Sequence, residues 1–264
     1  MSLNNTKKID NSQQNDLTAQ GIFPFWKFPG ETLAVMLRRF RDEYGYSEDE
    51  KITYAGRLDP MAEGIVPLLV GTARFQKDHM LSAMKTYEVD IVLGLGTDTA
   101  DFLGIVVKND IHPVSTEFIE QVVSTLTEIN ELPYPEYSSR PVDGKPLFMH
   151  ARAGQKVVVP IKKVTIHELV LKEIKEVELS ILLNSAIETI TKVQGDFRQA
   201  EIIKQWTSLT KASAVEIATV QVITIITTVS SGTYMRSLAE KVGELLGVPA
   251  LAGRIVRTKI DKIK

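Results

Sequence analysis

Tyr54-Ala55-Gly56-Arg57-Leu58-Asp59-Pro60-Met61-Ala62-Glu63-Gly64 is the stretch on which the reading of this chain turns. Two glycines bracket an Asp-Pro step. Glycine tolerates backbone angles that other residues avoid, so such a loop can bend tightly and approach a ligand closely. Asp before Pro is also a common turn starter. On pattern alone an ordinary turn explains the stretch at least as well as a catalytic carboxylate at Asp59. The answer has to come from what flanks it.

Upstream, residues 1–20 are rich in Asn, Gln, Lys and Asp and poor in large apolar groups. Such a segment cannot bury enough surface to offset its ordering entropy, so a disordered tail is expected. Order is expected to begin at Gly21-Ile22-Phe23-Pro24-Phe25-Trp26. Thr32 is placed to cap a helix, Leu33, Met36, Leu37, Phe40 and Tyr44 follow at helical spacing, and Gly45 is a stop. Residues 46–64, rich in turn formers, predict a loop carrying Asp59. Downstream, Tyr87 to Leu93 alternates like a strand. Glu117 to Ile129 reads as a helix. Leu132 to Pro146 holds four prolines and predicts an irregular extended segment. Val157 to Val159 and Val164 to Leu171 read as strands. Lys175 to about Ala214 is amphipathic and helical in tendency, an insertion between strands. Val215 to Val229 is dense in Val, Ile and Thr and predicts a strand. Tyr234 to Leu246 returns to helical periodicity. Strands and helices mix without regular βαβ units, so the expected class is α+β, with a mixed, mostly antiparallel central sheet flanked by helices and loops.

Composition narrows the chemistry. The chain has 264 residues, 44% of them hydrophobic, enough for a sizeable core. It contains no cysteine, which removes disulfides, thiolate metal sites and a cysteine nucleophile. No two of the four histidines, His79, His112, His150 and His167, stand a helical turn apart as a metal-binding helix requires. No signal core and no run of apolar residues long enough to span a bilayer is present, so no membrane partner is expected and the cytoplasm is the expected compartment. The net charge of −2 gives no general attraction to nucleic acid, though charge can still concentrate on one face.

Three further constellations stand out. Tyr87, after Lys85-Thr86, is an aromatic in an alternating strand, suited to the core or to stacking on an extruded base. Gly94-Leu95-Gly96-Thr97-Asp98-Thr99-Ala100-Asp101 lacks the third glycine of a dinucleotide-binding turn. Its two aspartates could attract a cation, but a polar hairpin loop is the simpler reading. Ser230-Ser231-Gly232-Thr233-Tyr234-Met235-Arg236 predicts a strand-to-helix turn presenting Tyr234 and Arg236. A guanidinium there suits bidentate pairing with a carboxylate, structural or functional.

The order of these blocks along the chain resembles the TruB family of tRNA pseudouridine synthases. Lys27, Pro29 and Gly30 resemble the family's opening motif. Gly56 to Gly71, with Asp59, Pro60, Gly64 and Pro67, resembles its aspartate motif, and Lys85 to Gly104 its Lys-x-Tyr strand and Thr-Asp-Thr-x-Asp loop. Pro135 to Gly154 and Ser231 to Arg236 resemble two later blocks. Ile255, Arg257 and Thr258 are similar to its closing Leu-Arg-Arg-Thr. Together these cover most of residues 21–260.

The resemblance implies an enzyme that isomerises uridine to pseudouridine in RNA, at uridine 55 of the tRNA T-loop, with no cofactor and no metal. The implied partner is the tRNA T-arm, and the chain is expected to act as a monomer. Asp59 is then the essential aspartate, Tyr87 stacks on the uracil, Arg236 pairs with Asp59, and Tyr234 lines the pocket. Ile255 stands where the family has a leucine against the base. Tyr54 and Lys27 count among the substrate-binding residues. Residues 21–264 are expected to form one catalytic domain, with a helical insertion at about 175–214 and without the small C-terminal RNA-binding PUA domain of many relatives. Some positions depart from the pattern: Tyr54 replaces a histidine, Arg57 a small residue, Pro141 a lysine and Phe148 a tyrosine. The Gly-Arg-Leu-Asp spelling also resembles synthases of ribosomal RNA. Another tRNA or rRNA site, or a non-catalytic RNA-binding or RNA-folding protein on the same scaffold, is therefore the alternative.

Overall fold

The strand-forming stretches pair into one large sheet because their apolar residues alternate and need a common core. A computed structural model describes residues 20–213 and 218–261. The tail expected at residues 1–20 falls, but for Gln20, outside the described residues. In chain order the strands are β1 (Gly21–Lys27), β2 (Ile52–Tyr54), β3 (Glu63–Val70), β4 (Lys85–Leu93), β5 (Leu95–Thr97), β6 (Val106–Asn109), β7 (Glu131–Pro133), β8 (Pro141–Val142), β9 (Lys145–Pro146), β10 (Ile161–Lys163), β11 (Ile166–Glu178), β12 (Thr219–Val229) and β13 (Ala250–Ile260). The α-helices are α1 (Leu33–Tyr44), α2 (Lys77–Leu81), α3 (Thr116–Thr125), α4 (Leu147–Arg152), α5 (Leu179–Lys192), α6 (Gln199–Ser213) and α7 (Met235–Leu246).

The main sheet runs β1-β3-β13-β4-β12-β11, with β2 also on β3. Every pairing in it is antiparallel except β3 with β13. The architecture is therefore α+β with a mixed, mostly antiparallel sheet, as expected. One core joins Tyr87, Val89 and Ile91 of β4 to Met36 and Phe40 of α1, Ile119 of α3, and Leu238 and Val242 of α7. A second core joins Val92, Val220, Val222 and Leu251 to Leu183 and Ile190 of α5 and Trp206 of α6.

The local signals behave as their chemistry requires. Thr32 Oγ1 accepts from Val35 N at 3.3 Å and so caps α1, and Gly45 ends the helix with φ 70°. Three expectations need correction. The helical reading from Lys175 to about Ala214 is met by α5 and α6 from Leu179 onward but not at its start, where Lys175 to Glu178 complete β11, paired with Thr219 to Val222 of β12. β11 is an edge strand, and its alternating Lys and Glu face water, which guards the edge while imitating a polar helix. The strand expected at Val157–Val159 forms instead at Ile161–Lys163, where β7 offers a partner. The proline-rich Leu132 to Pro146 is mostly irregular but contributes short strands β7, β8 and β9.

The Asp59 loop emerges where the sheet forks. On the same edge of β3, β13 pairs with Glu63 and Gly64 while β2 pairs with Leu68 to Val70. Gly64 sits at the tightest point, with φ 119°, and a Cβ there would meet Arg257 O at 2.3 Å. Gly64→Ala is expected to cost about 3 kcal/mol or more, from backbone strain plus overpacking. The check is the urea midpoint, which should fall steeply; an unchanged midpoint would show that the fork relaxes freely.

Candidate active site

The loop Ala55 to Ala62 has no ladder of its own, so buried cations hold it. Lys27, at the end of β1 and wholly buried, donates through Nζ to Phe28 O at 3.1 Å, Pro60 O at 3.1 Å and Ala62 O at 2.5 Å. Three acceptors match the three N–H bonds of an ammonium. Burial, opposed by Asp59 and Glu31, lowers its pKa to about 8. Arg257, also buried, donates through Nε to Ile65 O at 2.7 Å, through Nη2 to Gly56 O at 3.0 Å and through Nη1 to Arg57 O at 3.4 Å. Gly30 N adds a bond to Pro60 O at 2.9 Å.

These ties present Asp59 to Arg236 in the first turn of α7. Arg236 Nε donates to Asp59 Oδ2 at 2.8 Å. Its Nη1 donates to Thr99 O at 2.8 Å and its Nη2 to Tyr137 O at 3.3 Å. The Arg236 side chain is 3% exposed, whereas the Asp59 side chain is 36% exposed. The arginine is thus a fixed, dry cation and the aspartate is the member of the pair that faces the cleft. Burial opposes the charge on Arg236, and Asp59 and Asp101 together hold its pKa above the ordinary value.

Asp101 is the residue that the sequence reading missed. Rather than facing solvent in a polar hairpin, it is buried, accepts from Thr99 Oγ1 at 2.8 Å and Leu103 N at 2.9 Å, and lies 3.8 Å from Arg236 Nε. Burial, only partly offset by Arg236, pushes its pKa up to about 6, and Asp59 adds to the rise. Ala100, with φ 59°, turns the chain so that Asp101 points in while Asp98 pairs with Arg198 at 2.6 Å. The cation site considered for these two aspartates is therefore taken up by arginines.

A cleft of about 840 Å³ opens beside the pair. Tyr54, Asp59, Tyr87, Tyr234, Arg236 and Ile255, drawn from β2, its following loop, β4, β13 and the start of α7, all line it. Tyr87 and Ile255 are 8% and 7% exposed, so each shows the cleft only a small apolar face. Tyr234 packs edge-to-face on Tyr134 with ring centroids 5.6 Å apart. Burial first, then the Asp59 carboxylate, raises the pKa of its phenol, keeping it a hydrogen-bond donor. Lys27 does not line the cleft. It lies behind the loop, so its place is with the support of Asp59, because its three donors are spent on backbone carbonyls. Arg257, noted in the sequence only as part of a closing motif, has the same office. The buried Ser138 hydroxyl, which also lines the cleft, finds no partner among the described residues.

Residues 45–191 match the family described as TruB family pseudouridylate synthase (N terminal domain). The chain belongs to the TruB family. The tRNA pseudouridine synthase B of Bacillus cytotoxicus is 34% identical over 212 residues, covering 80% of this chain and 57% of that protein. That of Listeria welshimeri is 30% identical over 241 residues, covering 90% and 66%. The chain thus spans 57% and 66% of the length of these two curated relatives. Among solved structures, an archaeal box H/ACA Nop10–Cbf5 complex has a chain of TM-score 0.53 and 16% identity, covering 94% of this chain and 50% of its own. A chain of an H/ACA ribonucleoprotein bound to a substrate RNA containing 2′-deoxyuridine gives TM-score 0.51 at 17% identity, covering 92% and 48%. At that identity the likeness is one of fold alone.

Asp101 should be visible in pH-dependent stability. Its native pKa is raised above the unfolded value, so on raising pH the unfolded chain ionises first. Its contribution is fully present below the ordinary aspartate pKa and is lost as pH rises through about 6. Relative to wild type, Asp101→Asn should therefore gain on the order of 2 kcal/mol between about pH 4 and pH 6.5, because each tenfold difference in proton affinity between the folded and unfolded chain is worth about 1.4 kcal/mol. Paired urea melts read this. A difference independent of pH would show that Asp101 keeps an ordinary pKa.

Proposed function

We propose that this chain is an RNA pseudouridine synthase that isomerises uridine 55 in the tRNA T-loop, with Asp59 as the essential carboxylate. The single observation that carries the reading is the Arg236–Asp59 bond at 2.8 Å at the edge of a cleft that also holds Tyr87. Family membership and relatives named tRNA pseudouridine synthase B support the substrate class.

The reaction breaks the N1–C1′ glycosidic bond, turns the uracil, and joins C5 to C1′. The proton lost from C5 is balanced by one gained at N1, so atoms and electrons close without a redox partner. A carboxylate serves this either by adding to C1′ or by taking a sugar proton, and both roles require it ionised and oriented. Arg236 supplies the orientation, since its Nε bonds to Asp59 while its other donors are fixed by Thr99 and Tyr137. With Oδ2 engaged by Arg236, the chemistry falls to Oδ1. The uridine must leave its stack to reach the cleft, and a base on an aromatic face recovers roughly 1–3 kcal/mol. Tyr87 offers that face, Ile255 an apolar neighbour, and Tyr54 and Tyr234 the polar-tipped walls. The remaining surface would receive the T-arm, with the chain acting as a cytoplasmic monomer.

The test is pseudouridine formation on an unmodified tRNA transcript, mapped by position. Wild type should convert uridine 55 without added cofactor, and Asp59→Asn should lower the single-turnover rate by at least about 10³-fold, the scale on which removing a reacting group acts. Product at another uridine would keep the enzyme class and move the site. RNA binding without any product would favour a non-catalytic binder, and full activity of Asp59→Asn would sink the mechanism.

A further inference from the structure

The turn joining α5 to α6 reaches the cleft, although it lies past residue 191, where the family match ends. Asp196, Phe197 and Arg198 from this turn line the cleft wall. Arg198 is held on two sides. Its Nη1 and Nη2 donate to Asp98 Oδ2 and Oδ1 at 2.6 and 3.2 Å, a bidentate fork, and its guanidinium lies over the Tyr137 ring at 4.4 Å. The backbone takes an awkward form to achieve this. Arg198 has φ 62°, a left-handed conformation that side-chain-bearing residues seldom adopt.

What Arg198 grips leads to the reacting pair. Asp98 precedes Thr99, whose carbonyl accepts Arg236 Nη1, and Tyr137 itself offers the carbonyl that accepts Arg236 Nη2. Asp98 also closes its own loop, accepting from Ile105 N at 2.8 Å. The α6 helix is pinned to the same loop: Trp206 Nε1 donates to Phe102 O at 2.9 Å, and Gln205 Oε1 accepts from Val106 N at 2.9 Å. We infer that Arg198 is a positioning residue for the Asp59–Arg236 pair: from the α5–α6 turn it fixes the two segments whose carbonyls orient the Arg236 guanidinium. The inference rests on the reading of Asp59 as the reacting carboxylate. An ion pair this accessible, with side chains 24% and 20% exposed, contributes little to global stability, so its value lies in orientation.

Arg198→Gly separates the two roles. Glycine suits the left-handed backbone and removes the guanidinium, so the variant should melt within about a degree or two of wild type. Its kcat on the tRNA transcript should fall about tenfold or more, because small misplacements of a reacting group cost rate steeply, while KM stays within about twofold. Arg198→Lys keeps the charge without the fork and should recover only part of the rate. A second readout needs no turnover: the Arg236 Nε–H signal in a proton–nitrogen NMR spectrum, assigned by its loss in Arg236→Lys. It should be slow to exchange in wild type and shifted or broadened in Arg198→Gly. Wild-type kcat in Arg198→Gly, a fall in kcat matched by a collapse in melting temperature, or an unmoved Arg236 signal would overturn the inference. If wild type makes no pseudouridine, the functional reading fails by itself, and the NMR result still decides the positioning claim.

Discussion

A carboxylate on an irregular loop is useful only if something stiff holds it, and here that task falls to buried positive charge. Lys27, Arg236 and Arg257 are each 3% exposed or less, and all three bind the Asp59 segment or its side chain. Burying an unpaired cation costs several kcal/mol, so each must find acceptors. The acceptors nearby are the carbonyls that the loop, lacking a ladder, leaves free. The two needs satisfy one another. The sheet fork at Gly64 supplies unpaired carbonyls, the cations need them, and Asp59 is fixed as a consequence.

The same logic explains how much of the molecule was legible in one sequence. Asp59, Tyr87, Tyr234 and Arg236 could be named because each lies in a short local motif, and the structure gathers all four at one cleft. The α1 cap and stop were legible because capping is a contact over three residues. Other long-range partners were not. Arg198 meets Asp98 across 100 positions and Arg257 meets the Gly56 carbonyl across 201, and a motif that marks Asp98, Gly56 or Arg257 does not say what each will meet. Lys27 was recognised as significant, yet its ammonium meets three backbone carbonyls behind the loop, since a motif marks a position and does not say which way the side chain turns. Likewise, Lys175 to Glu178 have the composition of a helix, and only the pairing with β12 makes them strand.

The Asp101 misreading is more instructive, because its physics runs opposite to that of Asp59. Two carboxylates lie near one guanidinium, but they are unequal. Arg236 Nε bonds to Asp59 at 2.8 Å and stands 3.8 Å from Asp101. Asp59 keeps contact with the cleft; Asp101 is sealed and satisfied by Thr99 and Leu103. Burial raises the proton affinity of Asp101, so as pH falls it sheds charge near pH 6 while its neutral form keeps its place in the packing.

That inequality bears on how the Asp59–Arg236 pair tolerates its own surroundings. A guanidinium satisfied wholly by one aspartate could swing with it. Here Nη1 and Nη2 are bound to backbone carbonyls, so Arg236 is anchored by groups that cannot titrate. Asp101 adds negative potential behind it without competing for the 2.8 Å bond. The carbonyls in turn belong to segments steadied by Asp98 and Tyr137, which Arg198 grips from outside. Orientation is thus set from the periphery inward, from a partly buried ion pair through backbone to a buried cation and finally to a half-exposed carboxylate. The Asp59 side chain, the most solvent-accessible member of the charged trio it forms with Arg236 and Asp101, inherits its direction from groups that water hardly reaches.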